Sequence, residues 1–396
     1  MSPRLGLSAL VAAALVVLLW APDASAYSWM IRHGYTGCST CHSDPSGGTL
    51  LTAYGRAQSE LLLSTQWSKE AAEEPSAASG QMLGLKLPDP LLLGADVRDG
   101  YMFNLANGEL VDQRFLHMRS DVMAQVKVSR LRLYGSLGYA SEPSALNSER
   151  AWVTRSASWG NLVSREYWAG VDIGDHVLLR GGRLNQPFGM RIVDHSMWVR
   201  AETQTDINQQ QQHGVSLSYN ADQFRAEGMA ILGNYQVSPD SYRERGFAAY
   251  AELYPKSTWS VGASAKATHA ATDLLLRTAT TRQAYGLMGR VQAADPLVLI
   301  AEVDALLRNA PARGGSQVGH VSMLRADLEV VQGFHLVGTG ETESLGDGAG
   351  TAFGGWFTAW WFPIPHADLR LDLVSRTVPG GGASTQTILL QGHVYL

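Results

Sequence analysis

From about Asp96 onward, apolar and polar residues alternate with a period of two. Leu116, Met118, Val122, Ala124, Val126 and Val128 fall on one face of a stretch whose other face carries Arg119, Asp121, Gln125 and Lys127. The next stretch repeats the pattern, with Leu131, Leu133, Leu137 and Tyr139 opposing Arg130, Arg132 and Ser136. Leu324, Ala326, Leu328 and Val330 oppose Arg325, Asp327 and Glu329; Leu369, Leu371 and Leu373 oppose Asp368, Arg370 and Asp372. A strand points successive side chains to opposite faces, so this period predicts strands with one apolar and one charged face. The last of them carries Ile388, Leu390, Val394 and Leu396 together.

Turn signals punctuate the pattern: Ala221-Asp222, Tyr254-Pro255-Lys256-Ser257, Ala294-Asp295-Pro296, Gln332-Gly333 and Pro363-Ile364-Pro365. Between them come longer stretches rich in Gly, Ser, Gln and Asn, at Thr203 to Gln212, Ala310 to Ser316 and Leu345 to Thr351. Short turns at one end and long loops at the other are the layout of an outer-membrane barrel, and counting the runs gives about sixteen strands. A soluble β-sandwich or propeller is the alternative. Charges at alternate positions of adjacent strands suit a polar lumen better than a core between two sheets. The expected fold is all-β, an antiparallel outer-membrane barrel over 95–396.

The N-terminal hundred residues read differently. Arg4, an apolar run from Leu5 to Trp20 and Ala24-Ser25-Ala26 form a cleavable export signal over residues 1–26. A transmembrane anchor needs ~20 apolar residues and this run is shorter. Residues 27–68 form a small segment of helix and loop, and 69–94 a linker that begins charged and small-residue-rich (Glu70, Glu73, Glu74, Pro75). A net charge of -5 and the lack of a basic run argue against a nucleic-acid partner. The 41 glycines, 14 tyrosines and 11 tryptophans fit a strand-rich membrane protein.

The two cysteines stand three apart, followed at once by histidine: Cys38-Ser39-Thr40-Cys41-His42. This is the c-type haem attachment pattern. Two thiols add to the vinyl groups of one macrocycle, and the next residue presents its imidazole to the iron. One covalent haem c is therefore expected, held by Cys38 and Cys41, with His42 as axial iron ligand. A thioredoxin-like site would need a βαβ context, and a zinc site would need further ligands. The sixth iron position stays open between Met30, His33 and no protein ligand. So small a segment lacks a core of its own, and haem would supply one, wrapped by Leu50, Leu51, Tyr54, Leu61, Leu62 and Leu63. Ser46-Gly47-Gly48 reads as a turn or helix start, where glycine permits tight approach to the macrocycle.

Within the barrel, Gly182-Arg183-Leu184-Asn185-Gln186-Pro187-Phe188-Gly189-Met190-Arg191 resembles a segment of the phosphate-selective porin O and P type. The likeness extends loosely through His195, Arg200 and His213-Gly214-Val215-Ser216-Leu217 and implies a porin fold rather than a phosphate substrate. Arg183, Arg191 and Arg200 become candidates for a pore constriction.

The whole layout resembles the fused monohaem cytochrome–porins of the outer membrane. The resemblance rests on Arg32, Gly37, Cys38, Cys41, His42 and Tyr54-Gly55-Arg56. It implies a haem plug in or at the mouth of the barrel, passing electrons between an extracellular donor, such as Fe(II), and a periplasmic carrier such as a soluble cytochrome. Asp44-Pro45-Ser46-Gly47-Gly48 departs from the iron-oxidising pattern, which bears on the donor and not on the architecture. Lumen residues His117, Arg119, Asp121, Arg325 and Asp327 are expected to hold the plug. Two other functions remain open: a porin for small anionic solutes with the haem plug as sensor or gate, and a haem enzyme with an open sixth site.

Overall fold

A computed structural model describes residues 29–33, 35–45, 47–48, 50–65, 87–139, 162–194, 196–379 and 384–396. The expected export signal, most of the linker, Ser46 and His195 lie outside these residues. The strands are β1 (Leu91–Ala106), β2 (Glu109–Val128), β3 (Leu131–Tyr139), β4 (Leu162–Val163), β5 (Tyr167–Ile173), β6 (Val177–Leu184), β7 (Gln212–Ala221), β8 (Phe224–Gly233) and β9 (Arg245–Lys256). They continue as β10 (Trp259–Ala270), β11 (Thr280–Ala294), β12 (Leu297–Ala310), β13 (Gly315–Val331), β14 (Phe334–Ser344), β15 (Ala352–Ile364), β16 (Ala367–Thr377) and β17 (Ser384–Tyr395).

Each strand pairs antiparallel with its neighbours in sequence, and β17 returns to β1 from Asp96↔Tyr395 to Ala106↔Thr385. Both β4 and β5 pair with β3, so they are one crossing interrupted at residues 164–166. The result is a closed barrel of sixteen crossings. The first strand starts at Leu91, inside the stretch assigned to the linker. Leu91, Leu92 and Leu93 are a plain apolar run without alternation, and this hid the strand's beginning.

The turn signals at Asp222, Asp295-Pro296 and Gln332-Gly333 hold, whereas Tyr254-Pro255-Lys256 and Pro363-Ile364 are strand residues whose turns come one step later. Asp222, Ser257-Thr258, Asp295-Pro296, Gln332-Gly333 and Pro365-His366 all join strands at one end of the barrel, where Leu91 and Leu396 also lie. Short turns and both barrel ends mark the periplasmic side. At the far end Asn107-Gly108 closes β1 onto β2 in two residues, with φ of 51° and 86°. That left-handed pair is the hairpin geometry Asn-Gly favours.

The outward face is apolar: Leu287 is 63% exposed, Leu324 61% and Leu133 59%. Exposed aromatics border it, with Tyr219, Phe224 and Trp361 towards the short turns and Phe115, Phe247 and Phe353 towards the long loops. A belt of this kind on a sheet without free edges is stable only against lipid. The chain is an outer-membrane β-barrel.

Inside, buried charges pair between neighbouring strands, as in Arg225–Glu252 (2.6 Å), or reach over one strand, as in Arg180–Glu227 (2.8 Å). The lumen is not polar throughout, however. Residues 185–211 between β6 and β7 fold inward, carrying a one-turn helix at Trp198–Ala201. Met190, Ile192, Met197, Trp198 and Val199 of this loop join Trp29, Met30, Ile31 and Leu63 of the N-terminal segment in one core. The wall completes it with inward-facing Tyr250, Met288, Ile300, Val321, Met323, Trp360 and Phe362. Burying each large apolar side chain contributes roughly 1.5–3 kcal/mol, so loop and segment are held as one body in the lumen.

Candidate functional site

The N-terminal segment owes its shape to a few local choices. A 3-10 turn over Cys38–Thr40 brings the Cys41 and His42 amides onto the Cys38 carbonyl, at 3.1 and 2.9 Å. Helical spacing puts residues three and four apart on one side, so Cys38, Cys41 and His42 point the same way. The chain then doubles back: Ser43 N donates to Leu50 O (3.0 Å), and His42 bridges Leu51. Thr52 caps helix α1 (Ala53–Gln58) by accepting from Gly55 N, and donates its amide to the Cys41 carbonyl at 2.9 Å. Gly55 is obligatory here, since a Cβ would stand 2.2 Å from Cys41 O. Gly47, at φ +85°, takes a left-handed turn closed to most residues, and a Cβ there would press on Cys38 Sγ at 3.3 Å.

The segment is fastened into the short-turn mouth of the barrel from several sides. Arg32 and His33 meet Glu329 at 2.5 and 3.3 Å. Asp44 pairs with Arg180 at 2.8 Å, Thr36 donates to Asp222 O at 3.0 Å, and Arg56 reaches Leu93 O. Thr65 N donates to Phe362 O at 2.9 Å, and Trp29 packs on His335 with centroids 4.2 Å apart. The lumen residues expected to hold this plug divide the work differently. Asp327 pairs with His335 (2.8 Å), beneath Trp29, whereas Arg325 pairs with Asp194 of the inward loop.

Between plug and loop lies a cavity of about 440 Å³, within the range of sites for cofactor-sized ligands. Cys38, Cys41 and His42 line one side, with Gly37, Gly47, Gly48 and Gly55 around them. Met30, Leu51, Leu63, Met190, Ile192 and Val193 supply apolar lining. Both cysteines are unpaired and partly accessible. Burial pushes the Cys41 thiol up to about 11, with Cys38 adding to the effect. Burial lowers the His42 pKa and favours the neutral imidazole that binds a metal. Two thiols, a neutral imidazole and a glycine-walled cavity fit a covalently held haem.

Other expectations for this region resolve unevenly. Met30 lines the cavity, but His33 turns to Glu329 in the wall. Leu51 and Leu63 reach the cavity, while Leu50 packs under Met123, Tyr134 and Trp168. Tyr54 and Leu61 are exposed at the mouth. Of the three candidate constriction arginines, only Arg191 faces the cavity. Arg183 donates to the Ser164, Arg165 and Gln211 carbonyls, and Arg200 to Glu302, the Phe188 carbonyl and Thr205. Both are structural ties that fix the inward loop.

His117 and Arg119 line the cavity as lumen residues. So do Arg98, Arg165, Arg225, Arg290 and His393, which the sequence did not single out, and Leu116 and Met118, which it placed on the apolar face with Val122. Arg98 and Met118 stand at a register shift between β1 and β2 and Arg165 in the break between β4 and β5, while on the other strands the depth of the plug decides which rungs border the cavity. Among the described residues no cluster of three or more His, Cys, Asp or Glu side chains forms a separate metal site.

No protein-family description and no curated protein matches the chain. Solved structures do resemble its fold. A loop-deletion form of OmpT, an outer membrane protein of Vibrio cholerae, superposes with a TM-score of 0.60 at 12% identity, over 77% of this chain and 99% of that one. The anion-selective porin from Comamonas acidovorans gives 0.57 at 13% identity, over 77% and 99%. The outer membrane channel DcaP of Acinetobacter baumannii gives 0.54 at 12% identity, over 77% and 97%. At these identities the likeness extends to the fold: the chain has the barrel of an outer-membrane porin.

Proposed function

We propose that this protein is a c-type cytochrome enclosed in a porin-like barrel, carrying electrons between an extracellular donor and a periplasmic carrier. The observation that carries the reading is the placement of Cys38, Cys41 and His42 together on the wall of a cavity inside the barrel. Haem bound there supplies a one-electron couple tuned by its axial ligand and surroundings. Cys38 and Cys41 tether it, and His42 supplies one axial nitrogen. Met30, Leu51, Met190 and Ile192 exclude water from the cavity, and the glycines leave room for close approach. A periplasmic protein would meet the plug at the short-turn mouth, where Thr40, Ala53, Tyr54 and Leu61 are exposed.

A solute porin is the second reading, favoured by the barrel fold and by the arginines of the cavity. The apolar core joining Trp29, Met30 and Ile31 to the inward loop and the wall works against it, because that part of the lumen is packed.

The test is the absorption spectrum of the purified protein, oxidised and reduced, from a host that attaches haem covalently. A c-type spectrum that persists through denaturation, and is lost in Cys38→Ser/Cys41→Ser, supports the cytochrome. Reduction by Fe(II) alone would make ferrous iron the donor, and a c-type spectrum indifferent to Fe(II) would exclude it. A barrel without covalent haem would leave the porin reading.

A further inference from the structure

We infer that the wall formed by Arg98, Arg119 and Arg165 seats the two carboxylates of the haem, opposite the wall that faces its thioether edge. The inference rests on the cytochrome reading. Its starting point is Arg225, whose Nη1 lies 2.9 Å from Cys38 Sγ. Arg225 stands on β8 and shares Glu252 with Arg290 on β11, at 2.6 and 3.2 Å. These are the seventh and tenth of the sixteen crossings. Arg98 is on β1, Arg119 on β2 and Arg165 in the break between β4 and β5, at the first, second and fourth. On a closed circumference of sixteen, Arg98 and Arg119 lie five to eight crossings from Arg225 and Arg290, across the lumen, with Arg165 on the flank three crossings from Arg225; all of them border the same cavity.

Haem carries its vinyl groups and its two propionates on opposite edges. With the Cys38 sulfur against Arg225, the carboxylate edge turns towards the β1–β2 wall. That wall is built to receive anions. The described lining of the cavity holds six arginines and a single carboxylate, Asp96. Asp121 holds Arg119 at 2.6 Å and also pairs with Arg165, so one carboxylate serves two of the three guanidiniums on this wall. Arg98 Nη2 stands 3.2 Å from His393 Nδ1, and both residues border the cavity. Asn208 of the inward loop fixes the fork: its Oδ1 accepts from Arg119 at 3.2 Å and its carbonyl from Arg165 Nε at 3.1 Å. Planar guanidiniums held in this way match carboxylates with little reorganisation.

The seat also acts on the iron. Cationic partners offset the negative charge of the propionates, which otherwise favours the oxidised state, so the seat raises the potential. The experiment uses the full haem-loaded chain with three readouts: covalent haem content, midpoint potential, and the haem carboxylate bending bands in resonance Raman. Arg98→Gln and Arg165→Gln are expected to move the carboxylate bands and lower the potential with haem content unchanged. Arg290→Gln removes the same charge from the opposite wall and is expected to leave the bands in place. Should Arg165→Gln not fold to a heat-modifiable barrel, Arg98→Lys keeps the charge but loses the fork, and is expected to move the bands with little change in potential. Bands that respond to Arg290→Gln and ignore the Arg98 and Arg165 variants would overturn the inference. Absence of covalent haem from the unmutated chain would instead overturn the cytochrome reading itself.

Discussion

Arg32 Nη1 of the plug lies 2.5 Å from Glu329 Oε2 of the barrel wall, across 297 positions of sequence. Their side chains are 17% and 3% exposed, and Glu329 also accepts from the Gly333 amide in the turn that follows β13. One carboxylate thus ties the start of the plug to a periplasmic turn of the barrel. Removing one member of a buried ion pair strands the other, at a cost of about 3 kcal/mol. In Glu329→Ala, trypsin should cut after Arg32 at a protease concentration that leaves the native plug intact, while the barrel keeps its heat-modifiable mobility. Equal resistance of the two proteins would show that the tie contributes little.

The contact between Gly55 and the Cys41 carbonyl has no slack. In Gly55→Ala the new methyl would fall 2.2 Å from a backbone oxygen, so α1 has to move off the cysteine turn. Overpacking of this kind costs roughly 1–3 kcal/mol. Hydrogen exchange at the amides of residues 52–58 should accelerate by one to two orders of magnitude, with the strand amides unchanged.

Asp194 anchors the inward loop between Arg325 and Arg370. Burial pushes its carboxyl up, but the guanidiniums of Arg370 and Arg325 outweigh this and hold it well below the usual carboxylate range. A depressed acid contributes stability that is complete above its unfolded pKa and is lost as the pH falls towards the folded one. The loop should therefore stay docked from neutral pH down through pH 4 and loosen only in stronger acid. Asp194→Asn should loosen it at every pH and remove this acid-dependent step, read by hydrogen exchange across residues 190–200.

Packing across the lumen makes a prediction about flux. In planar bilayers the full chain should show far lower conductance than open porins of similar strand number. Deleting residues 27–68 removes Trp29, Met30, Ile31 and Leu63 from the core and should raise single-channel conductance several-fold, limited then by the inward loop. A full chain that conducts as freely as the deletion would show that the packed body opens in the membrane.

The barrel was legible because its physics is local. Lipid outside and pairing charges inside impose a period of two, and Leu324/Arg325 or Leu369/Arg370 reveal it without any tertiary knowledge. The turns at Asp222 and Gln332-Gly333 were equally plain. What fills the lumen was less so. Met288, Ile300 and Val321 sit on inward rungs, where an apolar residue breaks the polar half of the alternation, and no neighbour in sequence says what will cover it. Arg183 and Arg200 illustrate the converse limit. Near a proline-glycine loop they look like pore-lining cations, yet their partners are backbone carbonyls and Glu302, brought close only by the fold. The cysteine turn could be read from five residues, but its placement beneath Met190 and beside Arg225 could not.

The plug precedes every strand in the chain, and the ring is completed only when β17 pairs with β1, through Ala95 and Leu396 as the final rung. That closing step has a consequence for biogenesis. Any chemistry that needs an enzyme at Cys38 and Cys41 has its freest access while the strands are still apart, because the completed wall and the inward loop afterwards leave both thiols only partly accessible. For the haem proposed above, the loaded fraction would then depend on how attachment competes with strand zippering.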